Sequence, residues 1–136
     1  MKNLVQIGSG SANLDQKFED GFTSFAKKNI KKFRLYLVEA NSIHIAKLKK
    51  NWKKNTKVKI SNFAIIPDNV KKKKINFYYS IDDTPDYQIF SSSKNFVRKH
   101  FPNSEIKRKT VECKNISNFF KRNSIIKIEF LSLDIE

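Results

Sequence analysis

A run of small residues, Gly8-Ser9-Gly10-Ser11-Ala12, is the first feature of this sequence that could serve chemistry. It follows an apolar stretch at residues 4–7 and precedes a predicted helix. Small side chains let the backbone turn sharply and approach a ligand closely, and the start of a helix offers unpaired N–H groups. The pattern therefore indicates a ligand-binding turn, although a tight strand-to-helix turn without a ligand explains it equally well.

Glu39 is the second candidate, at the end of the apolar run in Leu37-Val38-Glu39-Ala40-Asn41. In doubly wound folds an acidic side chain at this place accepts hydrogen bonds from ribose hydroxyls, because ligands bind outside the carboxyl ends of the strands. A solvated strand end is the alternative, but the position of Glu39 relative to the glycine run favours a ligand. Their separation exceeds the roughly 20 residues usual in dinucleotide sites, so we expect a long first crossover.

Two further pairs of candidate site residues lie in or at the ends of predicted strands. Asn62 offers an amide and Phe63 an apolar surface beside the place where a ribose bound to Glu39 would put its base, although Phe63 could also be a core residue. Asp134 and Glu136 are two residues apart in the last predicted strand. Because side chains in a strand alternate between its two sides, both carboxylates point to the same side. They are expected close to the reacting centre.

The elements that would position these residues alternate along the chain. Apolar runs predict strands at residues 4–7, 35–38 and 58–66, and apolar residues at helical spacing predict helices near residues 18–29 and 45–52. This order predicts an α/β fold: a Rossmann-like, doubly wound, mainly parallel sheet with helices on both faces.

The remainder departs from simple alternation. Residues 75–113 are expected to form an insertion, with a strand at 75–79, a polar loop at 80–93, a short helix at 95–100 and a strand at 109–113. A helix at 116–120 and a last strand at 126–135 complete a single domain of residues 1–136. If the chain ends on a central strand of a parallel sheet, apolar surface stays uncovered and backbone N–H and C=O groups stay unpaired. We therefore expect this domain to be the N-terminal portion of a longer one, incomplete at the C-terminus.

Composition narrows the class of protein. The chain has 136 residues, which suits one domain, and one cysteine, Cys113, which excludes an internal disulfide framework and is expected to be a small core residue. The sequence contains neither a signal-peptide pattern nor a long apolar stretch, so we expect a cytoplasmic protein without a membrane span. The net charge of +15 is scattered along the sequence, and we favour a compositional bias towards lysine over a nucleic-acid partner.

Five segments together resemble successive motifs of the FkbM family of methyltransferases, in the family's order. They are Val5-Gln6-Ile7-Gly8-Ser9-Gly10, Leu37-Val38-Glu39-Ala40-Asn41, Asn62-Phe63-Ala64-Ile65, Tyr78-Tyr79-Ser80-Ile81-Asp82-Asp83 and Phe130-Leu131-Ser132-Leu133-Asp134-Ile135-Glu136. Several matches in register are more specific than any single motif. The resemblance covers essentially the whole chain.

The resemblance implies a class I enzyme that takes S-adenosylmethionine as its cofactor and methylates a hydroxyl of a sugar or another small metabolite. It places Gly8, Ser9, Gly10 and Ala12 around the methionine part, Glu39 and Ala40 at the ribose, Asn62 and Phe63 at the adenine, and Asp134 and Glu136 near the methyl group. Gln6 departs from the pattern, because many class I enzymes have an acidic residue there. Ala12 departs mildly, since it replaces a common third glycine.

Two other classes stay open from the residues alone: another nucleotide-binding Rossmann-type enzyme, such as one that uses NAD, and a basic module that binds nucleic acid. Among further polar residues, His44 is expected at the surface and His100 at a solvated helix end. Neither has companions at metal-ligand spacing, so we predict no metal. Ser80, Asp82, Asp83 and Tyr87 are candidates for a cap over the acceptor. The oligomeric state is left open.

Overall fold

A computed structural model of the chain describes residues 1–11, 21–53, 55–85 and 88–134. The strands and helices in chain order are β1 Lys2–Ile7, α1 Gly21–Asn29, β2 Phe33–Val38, a 3₁₀ turn at Ser42–His44, α2 Ile45–Asn51, β3 Val58–Ser61, β4 Ala64–Ile66, β5 Lys74–Ser80, α3 Lys94–His100, β6 Ile106–Asn115, α4 Ile116–Arg122 and β7 Phe130–Leu133. Ala12 and Glu136, both predicted site residues, lie outside the described residues, as does Tyr87.

Four strands form a parallel sheet in the order β3-β2-β1-β7. Alternate residues of β1 and β2 face opposite sides, as the pleat requires. Leu4, Leu35 and Leu37 pack against α1 and α2 on one side, whereas Val5, Tyr36 and Val38 pack against α4 on the other. The predicted α/β architecture, a Rossmann-like parallel sheet with helices on both faces, is confirmed.

The prediction of one strand at residues 58–66 is wrong. β3 pairs with β2 in the parallel sheet, whereas β4 pairs with β6 in a second sheet. The chain turns away at Asn62, whose side-chain amide donates to the carbonyl oxygens of Glu39 at 2.8 Å and Ala40 at 3.2 Å. The apolar pattern continues through both strands, so their division depends on this contact with a distant segment.

The second sheet has the order β4-β6-β5, and β5 pairs antiparallel with β6 over its full length. Its core consists of Ala64, Ile66, Phe77, Val111 and Cys113, which confirms Cys113 as a core residue. β6 begins at Ile106, three residues before the predicted strand. The segment expected as an insertion therefore forms, together with β4, a layer of its own.

The last strand is shorter than predicted. β7 covers Phe130–Leu133, and its ladder with β1 is flanked by the Glu129 N–H bonded to Asn3 O and the Asp134 N–H bonded to Ile7 O, both at 2.9 Å. These bonds place Asp134 directly beside the end of β1. No helix in the described part of the chain is long and apolar enough to cross a membrane.

Candidate active site

The glycine run forms a tight turn at the carboxyl end of β1. Gly8 has φ 83° and Gly10 has φ 58°, in the left-handed region that favours glycine. The N–H groups of Gly8 and Ser9 both donate to Val38 O, at 2.8 and 3.2 Å, so the turn is tied to the end of β2. This tie brings the turn to the residue that follows Val38.

Glu39 touches the turn directly. Its Oε2 accepts a hydrogen bond of 2.6 Å from the Gly10 N–H, and its Oε1 accepts one of 2.9 Å from the Asn41 N–H. The side chain is 8% exposed. A carboxylate has about four acceptor sites, so Glu39 retains capacity for ligand hydroxyls while it holds the two backbone groups.

A cavity of about 280 Å³ opens beside this contact. One part is polar and is bordered by the turn and strand ends, through Gly8, Gly10, Glu39, Asn41 and Asp134. The other part is apolar and lies against the second sheet, through Phe63, Ile66, Ile75, Phe77 and Phe90. Such a combination of apolar walls with a few convergent polar groups is typical of small-molecule sites.

The predicted site residues occupy different places around the cavity. Ala40, Phe63 and Asp134 line it, and Asp134 is exposed at its rim. Asn62 does not line it, because its amide is bonded to the backbone after β2. Asn62 therefore shapes the wall from outside, and the apolar surface next to Glu39 comes from Phe63 and the second sheet.

The sequence model of a protein family, described as the methyltransferase FkbM domain, matches residues 6–136, which is nearly the whole chain. The chain belongs to the FkbM methyltransferase family. Comparison with curated proteins and with solved structures gave no significant match. The family resemblance drawn from the five segments is thereby confirmed, and the activity class of this chain is methyl transfer.

Several residues of the cavity in this FkbM methyltransferase were not predicted from the sequence. The side-chain amide of Asn41, 2% exposed, donates to Gln88 Oε1 at 2.9 Å and ties the end of β2 to the loop before α3. Beyond Gln88, Phe90 stacks on Phe77 with ring centroids 4.7 Å apart and planes 2° from parallel. Asn41 belongs to the motif at residues 37–41, whereas Gln88 and Phe90 belong to no recognisable motif of the sequence.

The prediction that His44 is a surface residue is wrong. His44 ends the 3₁₀ turn, is 8% exposed and lines the cavity. The sequence could not show this, because the turn directs the side chain inward before α2 begins. His100 agrees with its prediction: it is exposed at the end of α3, with Nδ1 3.0 Å from Phe96 O.

Two buried polar atoms of β1 and of the turn after it have no hydrogen-bond partner in the described part of the chain, although neither residue lines the cavity. They are Ser9 Oγ, in the turn between two lining glycines, and Gln6 Oε1, in β1 beside Ile7. Each residue is 5% exposed. Leaving such an atom unsatisfied costs about 1–3 kcal/mol, so both are suited to a polar ligand group.

Of the candidates for an acceptor cap, the three that the structure describes, Ser80, Asp82 and Asp83, do not line the cavity. Ser80 is 1% exposed and its hydroxyl is bonded to that of Ser104, while Asp83 Oδ2 accepts a bond of 2.7 Å from the Ile89 N–H. These contacts shape the loop between β5 and α3. Among the residues that the structure describes, no group of three or more histidine, cysteine or acidic side chains could hold a metal ion.

Proposed function

We propose that this methyltransferase uses S-adenosylmethionine and methylates a hydroxyl oxygen of a sugar or another small metabolite. The observation that carries the proposal is the contact between Glu39 and the Gly10 N–H beside a cavity at the carboxyl edge of a parallel sheet. A ligand there meets backbone N–H groups, a carboxylate and apolar walls within one site.

The described residues fit the parts of this cofactor. Glu39 has free acceptor sites for two ribose hydroxyls, and Phe63 with the second sheet offers an apolar surface for adenine. Ser9 Oγ and Gln6 Oε1 are unsatisfied acceptors next to the glycine turn, where an ammonium group would donate to them. A glutamine is uncharged, so this contact would be weaker than that of the usual acid.

S-adenosylmethionine supplies an electrophilic methyl group when it is bound. The chain contributes mainly alignment, since holding two reactants in the correct orientation removes a large part of the barrier. Asp134 is the candidate for accepting the proton of the acceptor hydroxyl, because it is a carboxylate at the rim of the cavity. Orientation of the loop or of the donor, without proton transfer, is its alternative role.

Calorimetry with S-adenosylhomocysteine tests the donor. We expect binding by the unaltered chain, and a loss of about 1–3 kcal/mol in Glu39→Ala, because ribose hydroxyls lose a buried acceptor. Glu105→Gln, which alters an exposed carboxylate outside the cavity lining, is the matched control and should bind as the unaltered chain does. Binding of NAD without any binding of S-adenosylhomocysteine would contradict the proposal.

A further inference from the structure

Cations that are scattered in the sequence come together on one surface. Two adjoining grooves, of about 640 and 600 Å³, share Arg122 as a lining residue. We call their combined lining the cationic groove; its basic side chains are Lys72, Lys73, Lys114, Lys121, Arg122, Lys59, Lys57 and Arg34. Lys72 and Lys73 belong to the run at residues 71–74, whereas the other basic residues come from separate strands, from α4 and from loops.

Little negative charge offsets these cations. Glu112 is the acidic residue that lines the cationic groove in the described part of the chain. The ion pair found among the described residues joins Lys127 to Glu129 at 3.5 Å, outside the groove. Lys59 and Lys57 each donate one hydrogen bond to a neutral oxygen, which leaves further ammonium protons for a ligand. The groove is therefore a concentration of available positive charge.

The neighbouring groups indicate which polyanion fits. The amides of Asn115 and Asn123 already donate to backbone carbonyls, so they have little left for reading sugar hydroxyls. Tyr36, the aromatic residue lining the described groove, is 8% exposed and offers no platform for unpaired bases. Cations outnumber the uncharged polar residues of the lining, among which Asn118 is exposed, so the groove favours a partner of high linear charge density whose bases are already stacked.

We propose that the cationic groove is a docking surface for double-stranded nucleic acid, held through its phosphate backbone without base readout. The proposal is independent of the methyl donor, since the cavity at Glu39 and the groove share no lining residue.

Fluorescence anisotropy with a labelled DNA duplex tests this surface. In the whole chain, Lys121→Gln combined with Arg122→Gln should weaken binding by at least about tenfold at about 50 mM salt and lower the slope of log K against log salt by about 1.8. Lys49→Gln combined with Lys50→Gln is the matched control, because both pairs are exposed in the last turn of a seven-residue helix. The control should lose less than about threefold, since charges outside the contact are screened.

Circular dichroism of both double variants checks that they are folded. Equal losses in the two variants, or no binding of the duplex at low salt, would overturn the proposal. Tighter binding of an acidic polysaccharide such as hyaluronan, with the same sensitivity to Lys121 and Arg122, would overturn the choice of partner.

Discussion

Glu39 organises the backbone around the cavity as well as offering a carboxylate to it. Its two oxygens hold the N–H groups of Gly10 and Asn41, so the turn after β1 and the chain after β2 share one anchor. The proximity of Glu39 to the glycine turn follows from the sequence, because both come directly after parallel strands. The hydrogen bond from the turn to the acid does not follow from the sequence.

Gly10 and Gly21 provide a matched pair of substitutions to alanine. Neither would bring a Cβ within 4 Å of another group, but Gly10 has φ 58° whereas Gly21 begins α1. We expect Gly10→Ala to lower the free energy of unfolding by about 1 kcal/mol, from backbone strain alone. Gly21→Ala should raise it by about 0.5 kcal/mol, because alanine loses less entropy in a helix. Urea denaturation measures both, and equal signs would contradict this account.

Kinetics can distinguish a role of Asp134 in proton transfer from a role in binding the methyl donor. Asp134→Asn keeps the size of the side chain at the cavity rim but cannot accept a proton. If Asp134 is the base, methyl transfer should fall by about 10²–10⁴-fold while the affinity for S-adenosylhomocysteine stays unchanged. Transfer from radiolabelled S-adenosylmethionine to a panel of free sugars measures this. A small decrease in rate would assign Asp134 to orientation.

Helix α4 contacts both the core of the parallel sheet and a residue that lines the cavity. Phe119 is 1% exposed and meets Tyr36 and Phe63 edge to face, with ring centroids 6.4 and 5.9 Å apart. Asp68 reaches α4 from the turn after β4 and accepts the Ser117 N–H at 3.0 Å. The Ser117 hydroxyl donates to Asp68 Oδ2, and this bond, together with the one from the N–H, lowers the pKa of the Asp68 carboxyl. Contacts with both sheets thus position the helix that supports Phe63.

Phe119→Ala should lower the free energy of unfolding by about 3–5 kcal/mol, because it leaves a cavity in a packed core. Phe130→Ala removes the same ring from β7, where the residue is 50% exposed, and should cost only about 1 kcal/mol. Urea denaturation of the two variants gives the comparison. Similar losses would mean that α4 is not packed as described.

At the scale of the whole molecule, the second sheet closes one side of the cavity that begins in the parallel sheet. The Asn41–Gln88 hydrogen bond and a bond from Lys109 to Ser42 Oγ connect the two layers. Because Ile66, Ile75 and Phe77 of this second layer form part of the apolar wall, ligand binding and the packing of the second sheet should depend on each other.

Cys113 reports on that packing. Burial raises the pKa of its thiol, and the nearby charge of Lys72 offsets this only in part. Because the thiolate is the reactive form, a maleimide should label the folded chain far more slowly than the chain in urea, and the rate should rise with pH later than for free cysteine. Lys72→Met should move the rise to still higher pH. Fast labelling of the folded chain would contradict a closed second sheet.

Local patterns in the sequence were enough to predict the order of the strands and helices of the parallel sheet. Alternation of apolar runs predicted the parallel sheet, and the glycine run with Glu39 predicted which edge carries the site, because strand direction follows from chain order. Only the tertiary structure decided that β3 and β4 part at Asn62, that His44 turns inward, and that Phe90 forms a wall of the cavity. It also gathered dispersed cations around Arg122. These features depend on contacts between segments far apart in the chain, and such contacts leave no periodic signal in the sequence.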